Sequence, residues 1–268
     1  MKVDYIEKGK GQTVILLHST AAGNKQWKKL IELLGEDYHV IAPNLFGYGK
    51  TVAWTGQKPQ TLEDQAEIIR QFLPSDGSKF SLVGHSFGGS VAMMAAKLFR
   101  HQIDKLILIE PNLNYLLRDL GSSDDFNEIL AMRDNIKING AIGKWEIAAK
   151  VFADYFNGSG TWDAMDMDRQ KKFIIALKPN YHEWDPVMNE KTTIKEWKSC
   201  LPAKTTVLSC TKTINSISAI IKLLRSSMAS WDFIEYQEGG HMAPLTMPNV
   251  INPLIAKALR NPLLPDAG

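Results

Sequence analysis

Lys79–His101 reads KFSLVGHSFGGSVAMMAAKLFRH. The segment Lys79–His85 is an apolar run of strand length, and the segment from Ser90 onward spaces its apolar residues as a helix does. Between them lies G-H-S-F-G-G, Gly84–Gly89, a G-x-S-x-G pattern where a strand passes straight into a helix. A turn that sharp holds Ser86 in a strained backbone conformation. It also demands small residues two positions either side, because the strand and helix backbones pass close together there. The Ser86 hydroxyl is thereby lifted above the end of a sheet. Beneath it, the first turn of the helix offers oriented N–H groups that favour developing negative charge. Ser86 is therefore a candidate nucleophile, and the backbone N–H of Phe87 is a candidate oxyanion donor. His85, inside the motif, points away from the serine on this reading and is expected to be a packed histidine.

Outward from this turn, apolar runs alternate with amphipathic stretches. Thr13–His18, Tyr38–Asn44 and Asp104–Pro111 read as buried strands. Asn24 is expected to cap a helix over KQWKKLIELLG that ends at Gly35. Thr61–Leu73 carries a capping box, Thr61 with Asp64, before a helical pattern. Continuous apolar strands alternating with helices imply a mostly parallel central sheet with helices on both faces, an α/β fold. From about Asn112 to Leu201 strand signals vanish and three helical candidates appear, DDFNEILAMRDNIK, GKWEIAAKVFADYF and MDMDRQKKFIIAL. This stretch is rich in aromatic residues and reads as a helical insertion. The α/β pattern then resumes with TTVLSC, NSISAIIKLLRSSM, WDFIEYQ and PNVINPLIAKALR. The expected division is a core of residues 1–111 and 202–268 with an insertion of residues 112–201.

The composition narrows the function. The chain has 268 residues, 44% hydrophobic and 22% charged, which suits a soluble globular protein with a sizeable core. A net charge of +2 without a long basic run favours neither nucleic acid nor an anionic membrane surface as partner. MKVDYIEKGKGQ lacks the apolar stretch of a signal peptide, and no run approaches the roughly 20 residues that span a bilayer. A cytoplasmic protein without membrane insertion is expected, monomeric or homodimeric, acting on a small molecule. Cys200 and Cys210 have neither zinc spacing nor partners enough for a disulfide framework, so two reduced thiols are expected. With no ligand cluster and no phosphate loop, no metal or organic cofactor is expected.

A serine hydroxyl needs a base to take its proton. Of the six histidines, His18 ends the first core strand, His39 begins a strand, His101 follows a helix and His182 lies in the insertion. His241 lies instead in YQEGGHMAPL, past the last strand, where Gly239 and Gly240 permit a sharp turn. Loops at the C-terminal ends of sheet strands are where catalytic groups gather in open α/β sheets.

Together Gly84–Gly89, the His241 loop, H-S-T at His18–Thr20 and APNLFGYGKT at Ala42–Thr51 resemble the α/β-hydrolase superfamily. The order of elements agrees from residue 1 to about 260. The insertion sits where such enzymes carry a helical cap, after the sixth strand in the superfamily's counting. The H-S-T stretch is similar to the superfamily's H-G-x oxyanion segment, which implies the N–H of Thr20 as second oxyanion donor. The chain departs from the usual pattern at Ser19 for Gly, Asn44 for Asp and Thr51 for Ser.

The resemblance also implies a carboxylate on the loop after the TTVLSC strand. Thr211–Thr213 offers none. Loss of the acid's charge in a triad costs roughly 10⁴ in rate, so a working enzyme should hold its acid elsewhere. Glu110 ends the strand after the nucleophile helix and should emerge at the same sheet edge as Ser86, one strand over. Some capped members of the superfamily take their acid from this strand end. A carboxylate closing an aliphatic run is seldom buried unless paired. Turned to solvent, it would be an ordinary strand-end glutamate. Asp232, Glu235, Glu238 and a water-assisted dyad are the alternatives, and Asp232, beginning its strand, should face the wrong edge. The expected triad is Ser86, Glu110 and His241.

These residues imply an ester-bond hydrolase, a carboxylesterase, thioesterase or lactonase, with a small apolar substrate under the aromatic insertion. A carbon–carbon bond hydrolase, a cofactor-free haloperoxidase, an acyltransferase and a ligand-binding protein of the same fold are the competing readings. Serine at the turn argues against haloalkane dehalogenase and epoxide hydrolase chemistry, which need a carboxylate there.

Overall fold

The computed structural model describes residues 1–55 and 58–260; the last eight residues of the expected core, 261–268, lie outside them. Seven strands form one sheet: β1 Tyr5–Lys8, β2 Thr13–Leu17, β3 His39–Pro43, β4 Phe80–His85, β5 Ile103–Ile109, β6 Thr205–Cys210 and β7 Asp232–Tyr236. Their order across the sheet is β1-β3-β2-β4-β5-β6-β7. Every pairing is parallel except β1 with β3. The helices are α1 Lys28–Leu34, α2 Leu62–Ala66, α3 Phe87–Leu98, α4 Tyr115–Leu120, α5 Ser123–Ala141, α6 Trp145–Asn157, α7 Met167–Leu177, α8 Asn180–Asn189, α9 Ile194–Cys200, α10 Asn215–Ser227, α11 Ala243–Thr246 and α12 Pro248–Arg260. The fold is the mostly parallel, two-sided α/β architecture expected from the strand pattern.

Side chains alternate across the sheet and build two cores. Ile15, Leu17, Leu82, Leu106 and Leu108 pack with α2, α3 and α10 on one side. Val14, Leu16, Val83, Ile107 and Ile109 pack with α1 and α12 on the other. Because both faces are covered, the central strands carry no polar alternation.

Helices α4 to α9 all fall between β5 and β6, with no strand among the described residues of that stretch. Three of these six match the helical candidates. The other three, α4, α8 and α9, escape a periodicity reading. The first and last are six and seven residues long, and α8 contains Pro186. Strand β1 was also absent from the reading, because it is a short, largely exposed edge strand.

Two local expectations need correction. Asn24 does not cap α1: it opens a 3-10 turn, Asn24–Trp27, and its side chain makes no cap bond. Its N–H instead donates to Asn44 Oδ1 at 2.7 Å, so a residue twenty positions away supplies the acceptor. The helix expected over Thr61–Leu73 begins with its capping box but tightens after Ala66 into a 3-10 turn, Glu67–Phe72. Asn44 also donates to Asp4, and its carbonyl accepts from the Thr51 hydroxyl, so Asn44 and Thr51 bind the start of the chain to the loop after β3.

Candidate active site

Ser86 follows β4 and begins the turn into α3 with φ 53 and ψ −118, a conformation that side-chain-bearing residues rarely adopt. Its N–H donates to Ile109 O, which continues the sheet ladder past the last strand residue. Tight packing holds the turn. A Cβ on Gly84 would lie 2.3 Å from Gly88 O, and one on Gly88 would lie 2.3 Å from Leu17 O. Only glycine fits at either position, two residues before and two after the serine. Among the described residues just two other non-glycine residues have positive φ, Ala21 at 59° and Glu110 at 45°. All three stand on loops around one sheet edge, which is where backbone strain collects in functional sites.

The structure brings Ser86, His241 and Glu110 together. His241 sits on the loop after β7, turned by Gly239 and Gly240 at φ 92 and 58. Its Nε2 lies 2.9 Å from Ser86 Oγ and its Nδ1 lies 2.7 Å from Glu110 Oε2. With a carboxylate at Nδ1, the neutral ring carries its proton there and leaves Nε2 to accept from the serine hydroxyl. All three side chains are buried, Glu110 completely.

The loop after β6 has a different part from that of its missing carboxylate. The Cys210 N–H donates to Glu110 Oε1 at 2.7 Å, and the Thr213 hydroxyl donates to Oε2 at 2.7 Å. Thr213 therefore serves the acid and does not touch the imidazole. With His241 the carboxylate accepts three hydrogen bonds, which is how a protein keeps a buried charge. Asp232 and Glu238 are exposed, and Glu235 pairs with Arg225 at 2.7 Å; none of the three joins this chain of bonds.

The other buried histidines are scaffolding. His18 Nε2 accepts from the Leu45 N–H at 3.1 Å, so its Nδ1 holds the proton and donates to Ser19 O at 2.8 Å. Burial pulls its pKa down to about 4, against the smaller lift from that carbonyl. His85, as expected, packs away from the serine: its Nε2 donates to the backbone oxygen of His241 at 2.8 Å. Burial, and then the nearby His241, drive the His85 pKa well down. Both rings stay neutral and hold loops: His18 the stretch after β2, His85 the stretch carrying His241.

Phe87 opens α3, whose first N–H groups lack partners within the helix. Ser19 is fixed by Gln26, whose Oε1 accepts from both its N–H and its hydroxyl. Thr20 follows and lines the same cavity as Ser86 and His241. Its hydroxyl donates to Glu183 Oε2 at 2.6 Å, so a residue of α8 in the insertion holds the loop below. Phe152, Phe156 and Trp184 supply aromatic wall to the cavity, and the Phe156 ring lies 5.2 Å from that of His241. The cavity is narrow, about 20 Å³, room for roughly one water.

Several site residues carry no signal in the sequence. Glu183 lies in NYHEW within an insertion without a motif, and Asn114 in EPNLN follows a strand end as any loop residue does. The only hint for Cys210 and Thr213 was the unusual loop itself.

The alpha/beta hydrolase family model matches residues 14–253. Among curated proteins, the 2-hydroxy-6-oxo-6-(2'-aminophenyl)hexa-2,4-dienoic acid hydrolase of Metapseudomonas resinovorans is 35% identical over 114 residues, 39% of this chain and 37% of that one. The matched segment thus spans well under two thirds of that relative's length. Among solved structures, a bromoperoxidase from Bacillus anthracis aligns with TM-score 0.76 at 17% identity, over 97% of this chain and 95% of its own. A thermophilic esterase from Thermogutta terrifontis aligns with TM-score 0.72 at 19% identity, over 96% and 93%. At those identities the likeness is one of fold.

Proposed function

This chain belongs to the alpha/beta hydrolase family, and from that premise we propose that it hydrolyses an ester-type bond of a small, largely apolar molecule through an acyl-enzyme on Ser86. The observation that carries the reading is the buried chain Ser86 Oγ, His241, Glu110, with links of 2.9 and 2.7 Å.

His241 Nε2 takes the Ser86 proton as Oγ adds to the substrate carbonyl. Glu110 holds the ring by Nδ1 and balances the positive charge it acquires. The oxyanion develops toward the N–H groups of Phe87 and Thr20. Each such donor is worth roughly 3–4 kcal/mol in a site of this kind. Collapse of the tetrahedral adduct breaks the ester C–O bond, and His241 returns its proton to the leaving alkoxide. A water then gives a proton to His241 and adds to the acyl carbon, releasing the acid and restoring Ser86. In this scheme residues 112–201 form a cap over the core, with Phe152, Phe156 and Trp184 against the substrate's apolar part.

Turnover of short- and medium-chain p-nitrophenyl esters by purified protein, beside Ser86→Ala, tests the proposal. Hydrolysis that disappears in the variant is expected; an inert native protein overturns it. A second reading, hydrolysis of a carbon–carbon bond beside a ketone, is favoured by one observation: one of the curated relatives is named as the hydrolase of an oxo-dienoic acid. Turnover of such a keto acid with no turnover of esters would select it.

A further inference from the structure

The cavity beside Ser86 is not lined by apolar groups alone. Most of its polar side chains are engaged with protein. Asn112 accepts from the Ser90 hydroxyl, Ser216 shares a hydrogen bond with Tyr155, and Asn180 accepts from the Trp184 indole. Two are not. Asn114 is 1% exposed, and neither its amide nitrogen nor its amide oxygen has a hydrogen-bond partner among the described residues. Glu183 is also 1% exposed, and its Oε1 has none. Both residues line the cavity that holds Ser86 and His241.

Native interiors rarely leave such groups bare, because burial strips their water without replacing it. Asn114 could have met its own needs locally. It precedes α4, where an asparagine side chain ordinarily accepts from the first-turn N–H groups, and it makes no such bond. Glu183 divides its carboxylate. Oε2 accepts from the Thr20 hydroxyl and from the Asn180 amide, while Oε1 remains open. Beside the cavity, Asn114 thus keeps a donor and an acceptor, and Glu183 an acceptor, without a protein partner among the described residues.

We propose that Asn114 and Glu183 form a polar recognition subsite for a hydroxyl group on the substrate, so that the preferred substrate is a hydroxylated ester and not a plain alkyl one. A hydroxyl is the smallest group that both donates and accepts. It donates to Glu183 Oε1 or Asn114 Oδ1 and accepts from Asn114 Nδ2. A substrate carboxylate is disfavoured, since it would face the oxygens of Glu183. The inference rests on the proposed acyl-enzyme reaction and narrows its substrate class. A hydroxyl held here also joins recognition to the reaction, because Glu183 grips Thr20, the proposed oxyanion residue.

The test compares kcat/KM for p-nitrophenyl 3-hydroxybutyrate with that for p-nitrophenyl butyrate. The native protein is expected to favour the hydroxylated ester by tenfold or more. Asn114→Leu, close in volume, should bring the ratio to within about threefold of one, and Glu183→Gln should lower it. Asn114→Asp, which keeps the acceptor and loses the donor, serves if the leucine variant does not fold, and it too should reduce the ratio. A native preference for the plain ester, or a ratio that none of these substitutions moves, overturns the subsite. If neither ester is hydrolysed, binding decides. In Ser86→Ala, tryptophan fluorescence should report tighter binding of 4-hydroxybutan-2-one than of butan-2-one, and Asn114→Leu in that background should remove the difference. That outcome keeps the subsite while the ester reading falls; equal binding of the two ketones overturns the subsite.

Discussion

Two glutamates stand near Ser86, Glu183 lining the cavity and Glu110 behind the His241 ring, both buried to within 1% of complete enclosure. At the sheet edge, Glu110 has each oxygen met: Cys210 on one, Thr213 and His241 on the other. In the roof, Glu183 has one oxygen met by Thr20 and Asn180 and one left open. Burial lifts the Glu183 pKa, and the hydrogen bonds from Thr20 and Asn180 only partly oppose the lift. On the proposed function and subsite, the difference separates two tasks. A group that must hold a charge through a reaction is satisfied in advance by its own protein. A group that must recognise something is left incomplete until that something arrives.

The sharpest way to break the comparison is to disturb the satisfied side. Glu110→Gln places an amide nitrogen against either the Cys210 N–H or the His241 Nδ1–H, and the second arrangement forces the wrong tautomer. Ester turnover should fall roughly 10⁴-fold, about 5–6 kcal/mol of transition-state stabilisation, with the fold retained by circular dichroism. Full activity in this variant would remove Glu110 from the mechanism. Within the Glu110→Gln protein, adding Thr213→Asp returns a carboxylate to the loop after β6, and turnover should recover by about tenfold or more.

Acid probes the scaffold that holds both sides. His18 has its pKa lowered to about 4 in the fold, against an ordinary value of 6.5. As pH falls from 6.5 toward 4 the unfolded chain takes up its proton first, so stability declines across that window and is fully present above it. The loss for this one group is about 3 kcal/mol. His85 acts in the same direction, while Glu183, with its raised pKa, acts in the opposite sense. Urea midpoints measured at a series of pH values should show the decline, and His18→Gln should make it shallower.

The smallest expected effect comes from removing one donor from the satisfied side. Thr213→Val takes away the hydroxyl bond to Glu110 Oε2 and leaves the Cys210 bond intact. A loss of about 1–2 kcal/mol in unfolding free energy is expected by denaturant titration. A neutral result would mean that Cys210 and His241 alone satisfy the carboxylate.

The sheet and the meeting of Ser86, His241 and Glu110 at its edge were legible because each rests on a local constraint. Gly84 and Gly88, the only residue type that fits so tight a turn, announce Ser86 between them. His241 is marked by the glycines before it, and Glu110 by a carboxylate ending an aliphatic run. The open groups of the roof were not legible, since Asn114 and Glu183 acquire their meaning from which cavity the insertion folds over. Asn24 shows the same limit on a small scale: its spacing suggests a helix cap, yet the bond that orders its turn comes from Asn44, in another strand's loop.

The cavity's small size has a consequence for time as well as for fit. A space of about 20 Å³ beside Ser86 admits a water but not an ester. A substrate of the proposed kind therefore fits only if the lining, Phe156 and Trp184 included, gives way, and its arrival would then be paced by the protein's own breathing. Under the proposed ester hydrolysis, the rate constant for the most reactive esters, where bond-making is fast, would be a clock for that opening. It should slow with solvent viscosity and be indifferent to the leaving group.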